Sequence, residues 1–247
     1  MICPICAYKD LNSLVVDLFV CKKCNHIFKS TEVPAKSYEK YKSSAHVERT
    51  PQHVIDANLA ANIRMNNIKI FKTKGKLLEL GSGHKFFLDL AKKNKFEVEG
   101  TELSKDMIKE IDHKIHYGNP SEIENLGQYD VICGFHVLEH INDPIKEVKV
   151  LVEHLNDDGL IAFELPTMIF YGWKLTVSDF YEEVHTQYFN QTSLNAFFKA
   201  CGLSIVYMTN HWEGKKTNTF IMAIKDTQPM DKYIKVLVNK LAGEKDE

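Results

Sequence analysis

Leu77-Leu78-Glu79-Leu80-Gly81-Ser82-Gly83-His84-Lys85 decides the reading of this chain. An apolar run of buried-strand character leads into two glycines, and helical spacing resumes at once from Phe86. Glycine at 81 and 83 lets the backbone turn tightly and approach a ligand. In an open α/β sheet, ligands bind at that end of a strand. Nineteen positions beyond Gly83 stands Glu102, in Glu99-Gly100-Thr101-Glu102-Leu103-Ser104, where a second strand should end. A carboxylate there accepts hydrogen bonds from both hydroxyls of a ribose. A dinucleotide loop would show a third glycine where Phe86 stands, and it has no use for Glu79 close to a diphosphate. An ammonium-bearing nucleoside suits that carboxylate better.

Outward from the loop, apolar runs at Leu77–Leu80, Phe96–Val98, Val131–Cys133 and Leu160–Phe163 alternate with helical stretches near 86–95, 104–112 and 143–155. This alternation predicts a doubly wound α/β domain around a parallel sheet. A helix at about 191–200, closed by Cys201-Gly202, precedes two strands at about 203–209 and 218–225 that would extend one edge. Residues 36–72 read as helical, with apolar positions at Val54, Ile55, Leu59, Ile63 and Ile70, and the tail beyond Pro229 as an amphipathic helix. The expected organisation is a metal-binding module over 1–30, a helical linker or cap over 31–74, a ligand-binding domain over 75–228 and a tail over 229–247.

The loop resembles motif I of the class I S-adenosylmethionine-dependent methyltransferases, and that family's other marks follow in order. Glu102 matches the ribose-binding acid; His116-Tyr117-Gly118-Asn119-Pro120-Ser121 resembles the loop that flanks the adenine. Tyr129-Asp130-Val131-Ile132-Cys133-Gly134-Phe135-His136-Val137-Leu138-Glu139-His140-Ile141-Asn142-Asp143-Pro144 resembles the fourth-strand block of the small-molecule branch. The resemblance covers roughly residues 75–225. It implies a Rossmann-like, mostly parallel seven-stranded sheet. It also implies S-adenosylmethionine as cofactor, held by Glu79, Gly81, Ser82, Gly83, Glu102, Leu103, Asn119, Pro120, Phe135 and His136. Lys85 departs from the pattern, because the family usually has glycine there; the expectation is a loop that closes differently or a lysine pointing outward.

Cys3-Pro4-Ile5-Cys6 and Cys21-Lys22-Lys23-Cys24 form two Cys-x-x-Cys knuckles with fourteen residues between them. That spacing lets Cys3, Cys6, Cys21 and Cys24 surround one zinc tetrahedrally, as structural zinc with no open coordination position. A redox dithiol would not require the second pair. The module resembles zinc ribbons found ahead of several methyltransferases. His26 reads as a packing residue beside a complete ligand set, and Cys133 and Cys201 as buried thiols.

Methyl transfer to a hydroxyl needs alignment and a base near neutral pKa. His185, in Glu182-Glu183-Val184-His185-Thr186-Gln187-Tyr188-Phe189-Asn190, resembles the family's His-x-x-Tyr-Phe block and is the first candidate base, with Tyr188 and His136 beside it; His140 reads as structural. A brace for the following helix explains His185 and Tyr188 nearly as well. Related sugar C-methyltransferases carry Glu-His where this chain has Val184-His185, which favours an oxygen or nitrogen acceptor over carbon. Tyr38, Tyr41, Phe170, Tyr171, Trp173, Phe180 and Tyr181 are candidates for the wall of an acceptor pocket, and 165–190 for a lid.

The 247 residues are 44% hydrophobic and 26% charged, with a formal net charge of -2. This balance, with Arg49 and Arg64 the only arginines, argues against a nucleic-acid partner. No apolar run has membrane-spanning length and no leader pattern opens the chain, so a cytoplasmic location without a membrane partner is expected. The oligomeric state stays open. The leading expectation is an O-methyltransferase of a sugar, nucleotide-linked sugar or related surface-polysaccharide precursor. RNA methylation aided by the ribbon, sugar C-methylation and a non-catalytic scaffold are the alternatives.

Overall fold

The computed structural model describes residues 1–33, 50–168, 181–213 and 216–242. The chain begins with three short antiparallel strands, β1 (Leu11–Val15), β2 (Leu18–Cys21) and β3 (Ile27–Lys29), with the cysteine pairs in the turns before β1 and after β2. Helix α1 (Pro51–Ile68) starts behind Thr50, whose hydroxyl accepts from His53 N at 3.2 Å, with Pro51 where a missing N–H costs nothing. It buries Ala61, Met65 and Ile68. Three of the apolar positions of this helix, Ile55, Leu59 and Ile63, are exposed, so it turns another face to the domain. The aromatic candidates Tyr38, Tyr41, Phe170, Tyr171, Trp173 and Phe180 lie outside the described residues.

The chain then winds through β4 (Gly75–Leu80), α2 (Phe86–Lys93), β5 (Phe96–Glu102), α3 (Lys105–Lys109), β6 (Lys114–Tyr117), β7 (Tyr129–Phe135), α4 (Pro144–Glu153) and β8 (Leu155–Thr167). After the two-residue β9 (Gln187–Tyr188) come α5 (Gln191–Ala200), β10 (Leu203–Glu213), β11 (Lys216–Lys225) and α6 (Met230–Ala242). Seven strands form one sheet in the order β10-β11-β8-β7-β4-β5-β6, parallel from β6 to β8 and antiparallel at β11 and β10. Leu77, Leu78, Val131, Ile132, Leu160 and Ile161 are fully buried, as central parallel strands covered on both faces require. The strand order reverses between β4 and β7, so the crevice at their carboxyl ends is where this architecture receives a ligand. Among the described residues no helix is long and apolar enough to cross a membrane.

Two strands escaped the sequence pattern. β6 is half polar and only four residues long. β9 exists because it pairs with β3 of the cysteine module, Ile27 opposite Tyr188 and Phe28 opposite Gln187, so the module's sheet is completed by a distant part of the chain.

Lys85 resolves the irregularity of the glycine loop. It adopts φ 58° and ψ 3°, the left-handed conformation that glycine takes without strain, while its Nζ turns outward to Asp112 Oδ1 at 2.6 Å. The loop keeps its path and carries roughly 1 kcal/mol of local strain. Lys85→Gly is therefore expected to be more stable in urea than Lys85→Ala by about 1 kcal/mol, the reverse of ordinary helical preference. Both variants lack the Asp112 contact, so that contact drops out of the comparison.

Candidate active site

Gly81 and Gly83 have φ of 68° and 50°, and a side chain at Gly81 would meet Val137 Cγ2 at 2.5 Å. The turn they make is tied to the end of β5. Gly83 N donates to Glu102 Oε2 at 3.1 Å, while Leu103 N and Ser104 N each donate to Oε1 at 2.8 Å. Three backbone amides thus fix one carboxylate beside the loop. Under the turn, Ser82 is buried against Thr101, and a side chain at Gly100 would stand 1.9 Å from Ser82 Oγ. A cavity of about 630 Å³ opens above, lined by Gly81, Gly83, Glu102, Leu103, Asn119 and His136 among others. Four other nominated residues lie outside its wall. Ser82 and Pro120 are buried supports, Phe135 packs in the core against Phe87 at 4.7 Å, and Glu79 is buried at the end of β4.

Charge concentrates below this rim. Glu79 is 5% exposed and its Oε2 has no hydrogen-bond partner; burial pushes its carboxyl well above the usual range, with Arg64 opposing and Glu102 adding to the effect. Glu164, on β8, accepts from Arg64 Nε at 3.1 Å and also pairs with Arg64 Nη2. His136 Nε2 stands 3.2 Å from Glu164 Oε1, and its Nδ1 stands 3.5 Å from Glu139 Oε1. Burial works against the charge on both residues. The pairing with His136 and Arg64 outweighs it and draws Glu164 down to about 2, while Glu139 and Glu164 lift His136 to about 9. At neutral pH His136 is therefore an imidazolium, which donates and cannot accept a proton.

His185 lies on the other side of Glu139. Thr186 N donates to Glu139 O at 2.8 Å, Thr186 Oγ1 to Ile141 O at 3.0 Å, and Gln187 Nε2 to the carbonyls of Ile141 and Asn142 at 3.2 and 3.1 Å. These staples bring the His185 and His140 rings to 4.7 Å between centroids. His140 lines the cavity, and its Nδ1 donates to Val184 O at 3.2 Å. Tyr188 is 5% exposed and outside the cavity wall; its hydroxyl donates to Glu182 O at 3.0 Å, and burial pushes it up to about 12. The sequence nominated Tyr188 for catalysis; in the structure its hydroxyl is bonded within the 182–188 turn.

A family model described as a methyltransferase domain matches residues 47–208. The chain belongs to that methyltransferase family. No curated protein matches by sequence. Among solved structures, the chain resembles the 1,6-didemethyltoxoflavin-N1-methyltransferase of Burkholderia thailandensis, with TM-score 0.60, 12% identity, and coverage of 85% of this chain and 99% of that one. A putative sarcosine dimethylglycine methyltransferase from Galdieria sulphuraria gives TM-score 0.57 and 13% identity over 70% and 85% of the two chains. Magnesium protoporphyrin IX methyltransferase from Synechocystis gives 0.54 and 11% over 70% and 83%. These likenesses establish the fold.

In this methyltransferase the four knuckle thiols converge. Cys3 and Cys24 Sγ are 3.6 Å apart and Cys6 and Cys21 Sγ 3.5 Å, close to the roughly 3.8 Å edge of a tetrahedron with 2.3 Å metal–sulfur bonds. His26 is no ligand: it is fully buried, lowered to about 4 by burial, and its Nε2 meets Gln187 at 2.8 Å. Sequence reasoning passed over Arg64, Glu139 and Glu164. Arg64 left a signal as one of only two arginines on a helix near the cofactor domain; the two acids looked like ordinary punctuation in apolar runs.

His136 also sets a pH dependence. Its folded pKa, about 9, exceeds the ordinary value of 6.5, so its contribution to stability is complete below about pH 6.5 and is lost as pH rises through 9. Histidine NMR titration of the methyltransferase should find this raised pKa and a fall toward the ordinary value in Glu164→Gln. An unshifted His136 in the wild type would remove the imidazolium from the site.

Proposed function

We propose that the protein is an S-adenosylmethionine-dependent methyltransferase that methylates a hydroxyl of a small molecule, with a sugar or nucleotide-linked sugar of surface-polysaccharide type as the acceptor class. The observation that carries the reading is one cavity whose wall holds the Gly81–Gly83 turn, Glu102, His136 and His140. The cofactor, when bound, supplies a methyl group already activated by a sulfonium.

This chain's residues fit such a guest. Glu79 is a buried carboxylate with an orphaned oxygen, a deficit that an ammonium or sulfonium relieves. Glu102 is held rigidly at the cavity wall, suited to ribose hydroxyls, and Asn119 occupies the wall where the adenine flank is expected. His136, being charged, orients the acceptor as a donor. The acceptor's proton is then lost at the His140–His185 end. Alignment of acceptor and methyl in a walled cavity is worth roughly 7 to 11 kcal/mol, so most of the rate is assigned to positioning. Val184, 9% exposed, stands where a C-methyltransferase would carry an acid, which leaves no carboxylate there for an enolate. We assign a structural zinc to Cys3, Cys6, Cys21 and Cys24, since four thiolates in that geometry match its coordination and leave no open position.

Calorimetry with S-adenosylhomocysteine should show micromolar binding that Glu102→Ala weakens at least tenfold. Binding should release protons, because the ligand's ammonium lowers a Glu79 carboxyl that burial has raised, and Glu79→Gln should abolish that release. Absence of binding by the wild type would overturn the assignment. Metal analysis of Cys21→Ser should show loss of the tightly held zinc, with a lower melting temperature, because the metal's binding energy orders the module.

A further inference from the structure

His140, in the cavity wall, comes together with Glu139 and His185, which lie outside that wall, in a group that cofactor binding does not use. Glu139, His140 and His185 each offer one ligand atom, and these atoms lie within 4.8 Å of one another. Glu139 is 1% exposed, and its Oε2 has no hydrogen-bond partner. Its other oxygen, Oε1, is 3.9 Å from His140 Nε2. His140 Nδ1 donates to the carbonyl of Val184, which fixes the tautomer whose Nε2 carries the lone pair. Thr186, stapled to the Glu139 carbonyl, holds the following turn so that the His185 ring stays against His140. Two imidazoles, one of them oriented by the Val184 carbonyl, and a carboxylate are the donor set of a zinc-type catalytic site with an open position.

We propose that Glu139, His140 and His185 bind one divalent transition ion of the zinc class, separate from the four-cysteine zinc, whose open position faces the cavity and takes an oxygen of the acceptor. The inference rests on the acceptor end assigned above. With the ion in place, His185 serves as a ligand. The ion acidifies the acceptor hydroxyl, whose proton passes to solvent water as the oxygen takes the methyl group. The ion's charge also answers Glu139 Oε2, which the protein leaves unsatisfied. The cluster Asp89, Asp112 and His113 is a weaker candidate, because Asp112 is exposed and already paired with Lys85.

The test is metal stoichiometry on the full chain loaded with Zn2+ and, separately, with Co2+. The wild type should hold two equivalents. His140→Ala and His185→Ala should each hold one while retaining the near-ultraviolet thiolate-to-cobalt absorption of the cysteine site. Glu139→Gln should weaken the second equivalent at least tenfold. S-adenosylhomocysteine calorimetry on the same samples separates the two readings. Cofactor binding with a single metal equivalent in the wild type would overturn the ion site alone; two equivalents without cofactor binding would overturn the cofactor reading alone. Retention of two equivalents by both histidine variants would also sink the ion site.

Discussion

Four carboxylates, Glu79, Glu102, Glu139 and Glu164, are buried at or just beyond the carboxyl ends of β4, β5, β7 and β8. Taking that much negative charge out of water is expensive unless each charge is answered. Glu102 is answered by three backbone amides, Glu164 by Arg64 and His136, and Glu139 by His136 through one oxygen. Glu79 has no such answer: burial raises its carboxyl well above the usual range, and Arg64 opposes that only in part. The buried end of β4 is thus short of positive charge, which is the deficit the proposed ammonium-bearing guest would supply. The fold explains why the acids meet: in a parallel sheet all carboxyl ends point the same way, so residues far apart in sequence share one edge.

A second constraint sets the acceptor end. The turn carrying His185 is held by contacts from two directions: the 139–142 segment after β7, and the cysteine module through β3. Lys29 Nζ donates to Glu182 O and Glu183 O at 2.9 and 2.6 Å, Lys29 N to Thr186 O at 3.0 Å, and β3 pairs with β9. The module is too small to bury a core of its own, so the thiol cluster is what keeps β3 in place to receive β9. The cysteine cluster at the start of the chain and the position of His185 are therefore mechanically linked.

The sheet was legible because its central strands are continuous apolar runs and its helices repeat between them. The glycine loop was legible because backbone conformation at Gly81 and Gly83 restricts the residue types that fit. The cysteine knuckles were legible because spacing alone prescribes their convergence. Arg64 was not, since its meaning depends on which face α1 turns inward, and the exposed Ile55, Leu59 and Ile63 show that hydrophobicity misjudged that face. Glu139, Glu164 and the pairing of β9 were not, because each takes its role from contacts that bridge long sequence separations. Tyr188 fits its motif but turns its hydroxyl to Glu182, a direction no sequence pattern encodes.

Two non-glycine residues, Lys85 after the glycine turn and His136 in the cavity wall, share the left-handed backbone conformation, with φ of 58° and 54°. Side chains there are strained, and such strain persists only where the surroundings over-determine it. For Lys85 the loop itself suffices, since Lys85 N donates to Ser82 O at 3.0 Å. For His136 the hold is stronger: its N–H donates to Glu164 O at 2.7 Å while its ring lies between two acids. The left-handed turn is what aims the ring back across the end of β7 and β8 instead of along the strand. The carboxylates of Glu139 and Glu164 thus hold the ring and raise its pKa, while the main-chain carbonyl of Glu164 holds the backbone. A neutral replacement at Glu164 would weaken the hold on the ring and leave the main-chain bond in place, so one residue of β8 fixes the charge through its side chain and the position through its backbone.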